Sequence, residues 1–566
     1  MFFLVGTFYI NYSKQHPIMN KNNDIRESAR ATLQQAFTDI KSRYRSTKFI
    51  LVLDDTIVQI ISSIFDMSEL MKNNIVLVER YSLKRRPLQH YHAIYLFGPD
   101  VDIQNFIDDW TEPMYSAPHV LFTFAANENI LNTLQSNPHV VDHILTFKFL
   151  YIHFRPLDPL TFCVDCPNTL NSMYSPSPKD SLGKTDSFIV QGLLSFFFTI
   201  RTKPHVAYSK NSPPCESLAH QFTGTLEHTI ETLPQDIASS FTQNNTLLVI
   251  IPRGDDPVAP LLHQFTFEAM VYEYYDVVNS IYTINPKDSH AFLSLDYYYD
   301  ETYKEIRYVH YERLIDTVRA RAQPFLDLQA KQREGNVTEK KEANRKIAQN
   351  RKQYDQCISE FQVSLEIVDR KVTRAVMDSS EYEQNMASGW KDRDTKFKPS
   401  KVELSQMLSR NDLSETDKMR ILAIYSMVGN SLSPSDIQRT LQSAGISESN
   451  RDTALNASLV NDKVERKNKY DKEQYTTSKY IPYISEVTSN AIDNKLPSKY
   501  FDLPSPLGKY SNIVIFVMGG VSCMELREVN EIRTKIRAVK VYVGSTGLLT
   551  PQEYLKQIGE LRTNPQ

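Results

Sequence analysis

Asp255, Asp256 and His263 stand close together in LLVIIPRGDDPVAPLLHQFTFEAMVYEYYDVV, residues 247–278, at a spacing that a metal site or an acid/base pair could use. No second ligand cluster at a known spacing accompanies them, and a turn followed by a helix cap uses both carboxylates, so the structural reading is the stronger. Cys163-Val164-Asp165-Cys166 has the spacing of half a zinc ribbon or a redox pair. Four ligands are needed for the ribbon, and no second Cys or His pair is present. Ser181-Leu182-Gly183-Lys184-Thr185 ends like a phosphate loop, but the required earlier glycine is Pro178 and no strand precedes it. Gly520 and Ser522 form half of a hydrolase nucleophile elbow whose closing glycine is Met524. Arg466, Lys467, Lys469 and Lys472 make residues 464–472 basic, yet acids interleave as in a solvated loop. No catalytic residue, cofactor or metal ligand is expected.

The elements around these residues are easier to read. Leu247–Ile251 is a buried strand that stops at Pro252. A helix is expected to follow, capped by Asp255 or Asp256 with Pro260 in its first turn, and Val258, Leu261, Leu262, Phe265, Ala269 and Tyr272 recur at helical spacing. Arg253 should hold the intervening turn together by ion pairing. Nearer the start, helix Ala29–Lys41 precedes an apolar strand at Phe49–Leu53, helix Ile57–Phe65 and a strand at Ile75–Val78. Strands are expected at Ala93–Phe97, His119–Phe124 and Phe149–Ile152, with helices at Ile103–Trp110 and Asn129–Leu134 between them. Wholly apolar strands alternating with helices imply a mostly parallel sheet covered on both faces, which binds partners beyond the carboxyl ends of its strands. Asp54 and Glu79 fall at two such ends.

Ser187–Thr199 reads as a buried helix, and residues 300–376 as a long helical hairpin with interleaved acids and bases, turning near Pro324. Lys418–Val428 is a buried helix, and Ser433 caps another that has Pro434 in first position. The last part returns to α/β, with strands at Ile513–Val517 and Val541–Val543 around helix Met524–Ile532, and a capping box at Thr550–Glu553.

With 566 residues the chain needs two to four domains, and 41% hydrophobic with 23% charged residues suits substantial cores. A net charge of −3 argues against a dedicated nucleic-acid binder. Five cysteines in this length imply a reducing compartment and no disulfide framework. The apolar opening MFFLVGTFYI lacks a basic leader and a cleavage site, so residues 1–23 are expected to be a loose tail, with translation starting at Met1 or Met19.

Several windows resemble the SM family, the Sec/Munc-type proteins that bind syntaxins and other SNAREs during vesicle fusion. Arg253, Gly254, Asp256, Pro257, Pro260, Leu261, His263, Thr266, Ala269 and Met270 match the family pattern after its central strand, with Pro252 where an acid is usual. VERYSLKRRPL from Val78 and AIYLFGP from Ala93 are similar to its first domain. Ser478, Lys479, Tyr480 and Pro482 match a later motif after Tyr475. Phe516, Gly519, Gly520, Ser522, Glu525, Leu526 and Arg527, then Gly544, Ser545, Thr546, Leu549, Thr550 and Pro551, match its closing pattern.

The resemblance implies an arch of three domains: two Rossmann-like parallel-sheet domains and a largely helical third with a projecting hairpin, an α/β plus α fold. Domain 1 would span residues 24–151, a split domain 2 residues 152–252 and 487–566, and domain 3 residues 253–486. It implies a cleft that clasps a syntaxin through Asp54, Gln59, Asp66, Glu79 and Pro87, with Gln59 and Asp66 where animal neuronal members are basic. It implies an outer pocket for a syntaxin N-terminal peptide at Leu131 and Phe147. Implied partners are a syntaxin-type SNARE and the assembled SNARE complex. The implied protein is monomeric, cytoplasmic and recruited to membranes through SNAREs, without nucleic acid. The KRRP and GGVS wording points to the plasma-membrane secretory branch. The alternatives are an endosomal or vacuolar member, and an α/β enzyme with a site near Asp54 and Glu79.

Overall fold

The computed structural model describes residues 24–562 apart from 177–181, 234, 288–290, 431, 463, 467–468, 471–477 and 505–507. Met1, Met19, Pro178, Ser181, Lys467, Lys472 and Tyr475 therefore lie outside the described residues. Asp24 accepts the N–H groups of Arg26 and Glu27 at the start of helix α1 (Ile25–Arg43).

The first sheet has five parallel strands in the order β2-β1-β3-β4-β5, with β1 Phe49–Leu53, β2 Ile75–Arg80, β3 His92–Phe97, β4 Ala117–Phe122 and β5 Thr146–Phe149. Helices α2 (Val58–Ile64) and α3 (Met67–Lys72) connect β1 to β2. The expected strand at Phe149–Ile152 sits earlier, because Tyr151 takes φ of +53°, a left-handed conformation that ends a ladder. The strand expected at His119–Phe124 likewise begins and ends two residues early.

A second sheet has seven strands. From one edge it runs Phe501–Asp502, β8 (Thr202–Ser209), β9 (Thr242–Pro252), Asn512–Met518, Lys540–Ser545, β7 (Thr161–Cys163) and β6 (Arg155–Asp158). Only the two edge strands run antiparallel. Segments before residue 253 and after residue 500 thus share one sheet. One apolar cluster extends from α1 and α2 through Leu51 and Leu53 to the buried helix Leu182–Ile200 and on to Val514 and Phe516. The two sheets share a core.

Between these segments lies a mainly helical part. Its long arm comprises Tyr311–Glu334, Val337–Gln349 and Arg351–Glu366. The turn is not at Pro324, which sits inside the first of these helices. It falls at Gly335–Asn336, where Asn336 and Glu339 exchange side-chain and backbone bonds in a capping box that starts the next helix. Lys418–Val428 lies almost wholly in the buried helix Glu415–Met427, and Ser433 caps Pro434–Ala444.

The segment after β9 corrects a second expectation. No long helix starts at Asp255 or Asp256. Two short 3-10 turns, Arg253–Asp255 and Ala259–Leu261, come first, and the helix is Phe267–Tyr274. The Asp256 carboxylate keeps one local bond, from the Ala259 N–H at 3.3 Å, but its shortest bonds go elsewhere: it accepts the Tyr480 hydroxyl and the Tyr483 N–H, both at 2.7 Å, and Arg466 at 3.4 Å. Arg466 is therefore buried, its side chain 2% exposed, rather than part of a solvated loop.

Arg253 pairs not within its turn but with Glu525, through two bonds of 2.7 and 2.8 Å. It also donates to the carbonyls of Asp256 and Gly520, and both charged side chains are almost fully buried. Glu525 is simultaneously the third residue of the helix that Ser522 caps. Gly519 and Gly520 adopt φ of +95° and +99°, and a Cβ on Gly519 would lie 2.8 Å from that of Arg253. Glycine alone permits both the backbone and the approach.

Removing one partner of a buried pair strands the other. Arg253→Met should lower stability by about 3–5 kcal/mol in chemical denaturation. Arg253→Met/Glu525→Met should recover more than half of that loss, and no recovery would mean the pairing is not what matters.

Candidate partner-binding cleft

Asp54 and Glu79 end adjacent parallel strands, with Glu79 opposite Val52. Their carboxylates do different work. Asp54 is 6% exposed and accepts the Thr56 hydroxyl and the Gly98 N–H, each at 2.9 Å, so it fixes the strand end from within. Half-buried Glu79 accepts the Tyr115 hydroxyl at 2.6 Å. Gln59 is exposed on α2, Asp66 caps α3, and Pro87 lies exposed beyond β2. In the basic run that precedes it, Arg85 is drawn inward to Asp109 at 2.9 Å.

Leu131 and Phe147 both pack, half-buried, against the apolar cluster on the outer face of the first sheet. The Phe147 ring is 5.7 Å from that of Phe122.

Gln59 leads across to the helical part, donating to Asn279 at 3.1 Å. Beside it a cavity of about 350 Å³ opens where the first sheet's helices, the start of the second sheet and the helical part converge. Gln59, Arg155, Asp158, Glu268, Tyr303 and Arg307 are among its walls. Arg307 pairs with Asp158 at 3.1 Å, and its guanidinium lies 4.4 Å from the Tyr308 ring. Burial pushes the Glu268 carboxyl up, and Tyr303 donates to it. Nearby, Arg26 donates to the Tyr299 hydroxyl at 2.7 Å and lies 4.4 Å from the Tyr298 ring, while Tyr298 donates to Asp24 at 2.9 Å. Of the five sequence-named cleft residues, Gln59 alone lines this cavity. The others stand on the strand-end side of the same unit. Arg155 is about 150 residues from Tyr303 and Arg307, which share one helix and its C-cap, so no spacing announced the group.

His263 belongs to another buried group. Its Nδ1 is 3.0 Å from both Glu383 oxygens and its Nε2 is 3.4 Å from Asp417. Asp255 and Asp256 do not join it. Burial and the neighbouring Arg420 disfavour its charge, but Glu383 and Asp417 outweigh them and hold its pKa at about 9. His263, Glu273 and Asp417 bring one donor atom each within 4.8 Å of one another. A doubly protonated imidazole offers no lone pair, and Glu273 is already paired with Arg420, so these residues suit an ion-pair network rather than a metal.

The Sec1 family model matches residues 49–557. This chain belongs to the Sec1 family. The match covers both sheets and the helical part between them. Among curated relatives, Protein transport protein sec1 of Dictyostelium discoideum is 24% identical, covering 90% of this chain and 94% of its own. Vacuolar protein sorting-associated protein 45 of the same organism is 22% identical, covering 94% and 97%. Among solved structures, the Unc18-syntaxin 1 complex from Monosiga brevicollis superposes with a TM-score of 0.80 at 19% identity, covering 95% of this chain and all (100%) of that one. The SM protein Vps45 in complex with the Qa SNARE Tlg2 also gives 0.80, at 18% identity and with coverage of 95% and 98%. The fold is the arch-shaped SM fold. Among the described residues, no helix is long and apolar enough to cross a membrane.

A histidine whose folded pKa is raised from 6.5 to about 9 contributes stability that is complete below pH 6.5 and lost as pH rises through 9. The contribution is of order 3 kcal/mol. Denaturation midpoints of the wild type should therefore fall between pH 6.5 and 9 more steeply than those of His263→Gln. Equal slopes would show that the imidazole is not charged in the folded state.

Proposed function

We propose that this chain is a SNARE-binding regulator of vesicle docking and fusion that clasps a syntaxin-type SNARE where its three parts converge. The observation that carries the reading is that convergence itself. A cavity with mixed polar and apolar walls joins Gln59 to the helical part and the second sheet. It occurs in a fold matched end to end by proteins solved with syntaxin 1 and with Tlg2. Gln59, Asp66, Glu79 and Pro87 form the rim that meets the partner, and Asp54 sets the strand end behind them. Residues 24–151 act as the syntaxin-facing unit, residues 152–252 and 487–566 as the span, and 253–486 as the opposing unit. Its arm, Tyr311–Glu366 with exposed Val337 near the tip, offers a helical surface for the assembling SNARE complex. Leu131 and Phe147 border the pocket for a syntaxin N-terminal peptide.

Such a clasp selects one SNARE arrangement over others by binding rather than by bond chemistry. Engaging two faces of a helical bundle buries more than the ~1,600 Å² of a standard specific interface. We assign the chain to the secretory branch on its KRRP and GGVS wording. Both a Sec1 and a Vps45 relative align over its length, so the cognate SNARE decides the branch. In this reading the protein is cytoplasmic, monomeric on its own and recruited to plasma or vesicle membranes through its partner.

Affinity capture of SNAREs by the tagged chain tests this. The wild type should enrich a syntaxin, and Glu79→Lys should weaken capture at least about tenfold. Glu79→Gln, which keeps an acceptor for Tyr115, should lose less. A wild-type chain that enriches no SNARE, or a Glu79→Lys chain that binds equally well, would remove the reading.

A further inference from the structure

The first unit carries a second feature, on the edge of its sheet opposite Asp54 and Glu79. A groove of about 590 Å³ runs between α1 and α3, lined by Arg30, Gln34, Thr38, Lys41, Arg45 and Lys72 among others. Almost every lining side chain brings a hydrogen-bond donor. The one carboxylate, Glu69, is taken by Arg30 and by the backbone at the start of α3. The other nearby acid, Asp39, is taken by Lys148 at 2.7 Å and by Gln35. Lys41 donates to the Lys72 carbonyl at 2.8 Å, which draws the ends of the two helices together.

Lys41, Arg43, Arg45, Lys48 and Lys72 make no ion pair among the described residues, and all but Lys41 are exposed. The helix dipole explains Lys41 and Arg43 in the last turn of α1, but not Arg45 and Lys48 beyond its end. In a chain of net charge −3 this edge is a local inversion of sign. The cationic end of the groove, at Lys41, Arg45 and Lys72, lies by the amino ends of β1 and β2, a strand's length of roughly 17 Å from Asp54 and Glu79, so this end and the strand-end rim are accessible at once.

We propose that this groove is a docking surface for a bilayer rich in phosphorylated anionic headgroups. Uncompensated cations supply the attraction to such a surface, and the donor-rich lining suits its phosphate oxygens. An acidic protein segment would match the charge, but no apolar residue lines the groove to anchor one. The inference presumes, with the function proposed above, that the chain works at membranes. It adds a contact that needs no SNARE.

Vesicle flotation of the full chain without SNAREs tests it, at about 0.1 M salt. The vesicles are phosphatidylcholine alone, or phosphatidylcholine with about 20% phosphatidylserine and about 5% phosphatidylinositol bisphosphate. The wild type should float with the anionic vesicles and not with the neutral ones. Lys41→Glu/Arg45→Glu/Lys72→Glu should reduce flotation at least about tenfold. The neutral variant Lys41→Gln/Arg45→Gln/Lys72→Gln should fall between, and it stands in if the charge-reversed chain does not fold. Equal flotation of wild type and variants overturns the proposal, as does equal flotation with neutral vesicles. So does tighter binding to a polyglutamate peptide than to anionic vesicles of the same charge, which assigns the groove to an acidic protein segment. Syntaxin capture by the same variants should be unchanged, so failure here and failure of the cleft reading are separate results.

Discussion

The buried pair of Arg253 and Glu525 is the constraint on which the architecture depends. Taking two charges out of water costs several kcal/mol each, and only close pairing with extra hydrogen bonds offsets it. Here the bidentate pair is completed by two backbone carbonyls, those of Asp256 and Gly520. The partners lie 272 residues apart in sequence, one at the end of β9 and one in the helix after Asn512–Met518. The sheet cannot be finished until the last part of the chain returns, so its closure is a late, long-range event. Asp256 binds the helical part to the same point through Tyr480, Tyr483 and Arg466. Gly254 belongs there too. Its N–H binds the Tyr174 hydroxyl at 2.8 Å, Tyr174 donates to Asp462 at 2.6 Å, and a Cβ would collide with both side chains. One short turn thus collects the second sheet, the returning segment and the intervening helices.

That arrangement explains what the sequence disclosed. Strands such as Phe49–Leu53, Leu247–Ile251 and Ile513–Val517 are buried on both faces, so each appears as an uninterrupted apolar run. Their carboxyl ends located Asp54 and Glu79. The helix expected after Asp256 failed for the opposite reason. A local rule made its carboxylate a helix cap, but it keeps only the Ala259 N–H of a short turn, and partners more than 200 residues away take its shortest bonds. Pro324 misled in a similar way, since a proline is a weak guide to a turn when a capping box at Asn336 sits nearby. Arg466 looked like part of a solvated run because its neighbours are charged, and only the fold reveals Asp256 and Glu486 beside it. The cavity at Gln59 had no sequence signal at all. Its walls come from three segments that meet only when the arch is built.

The contacts around that cavity are unequal in strength, and this decides which surfaces can separate. On one side, Arg307 and Asp158 are paired in a nearly dry setting, and Glu268 lies with Tyr303 behind them. Removing one partner there would leave an uncompensated charge, so the helical part is held firmly to the second sheet. On the other side the first unit meets the helical part through Gln59 with Asn279, and through Arg26 and Asp24 with Tyr298 and Tyr299. Arg26 is 4% exposed, but its partners Tyr298 and Tyr299 are neutral and only half-buried, and Gln59 is exposed, so parting these contacts strands no ion-pair partner. A change in cleft width therefore falls on these contacts and leaves Arg307 with Asp158 intact. Any such change is limited by the apolar core that α1, α2 and the helix Leu182–Ile200 share, because a close-packed core resists rotation of one sheet against the other.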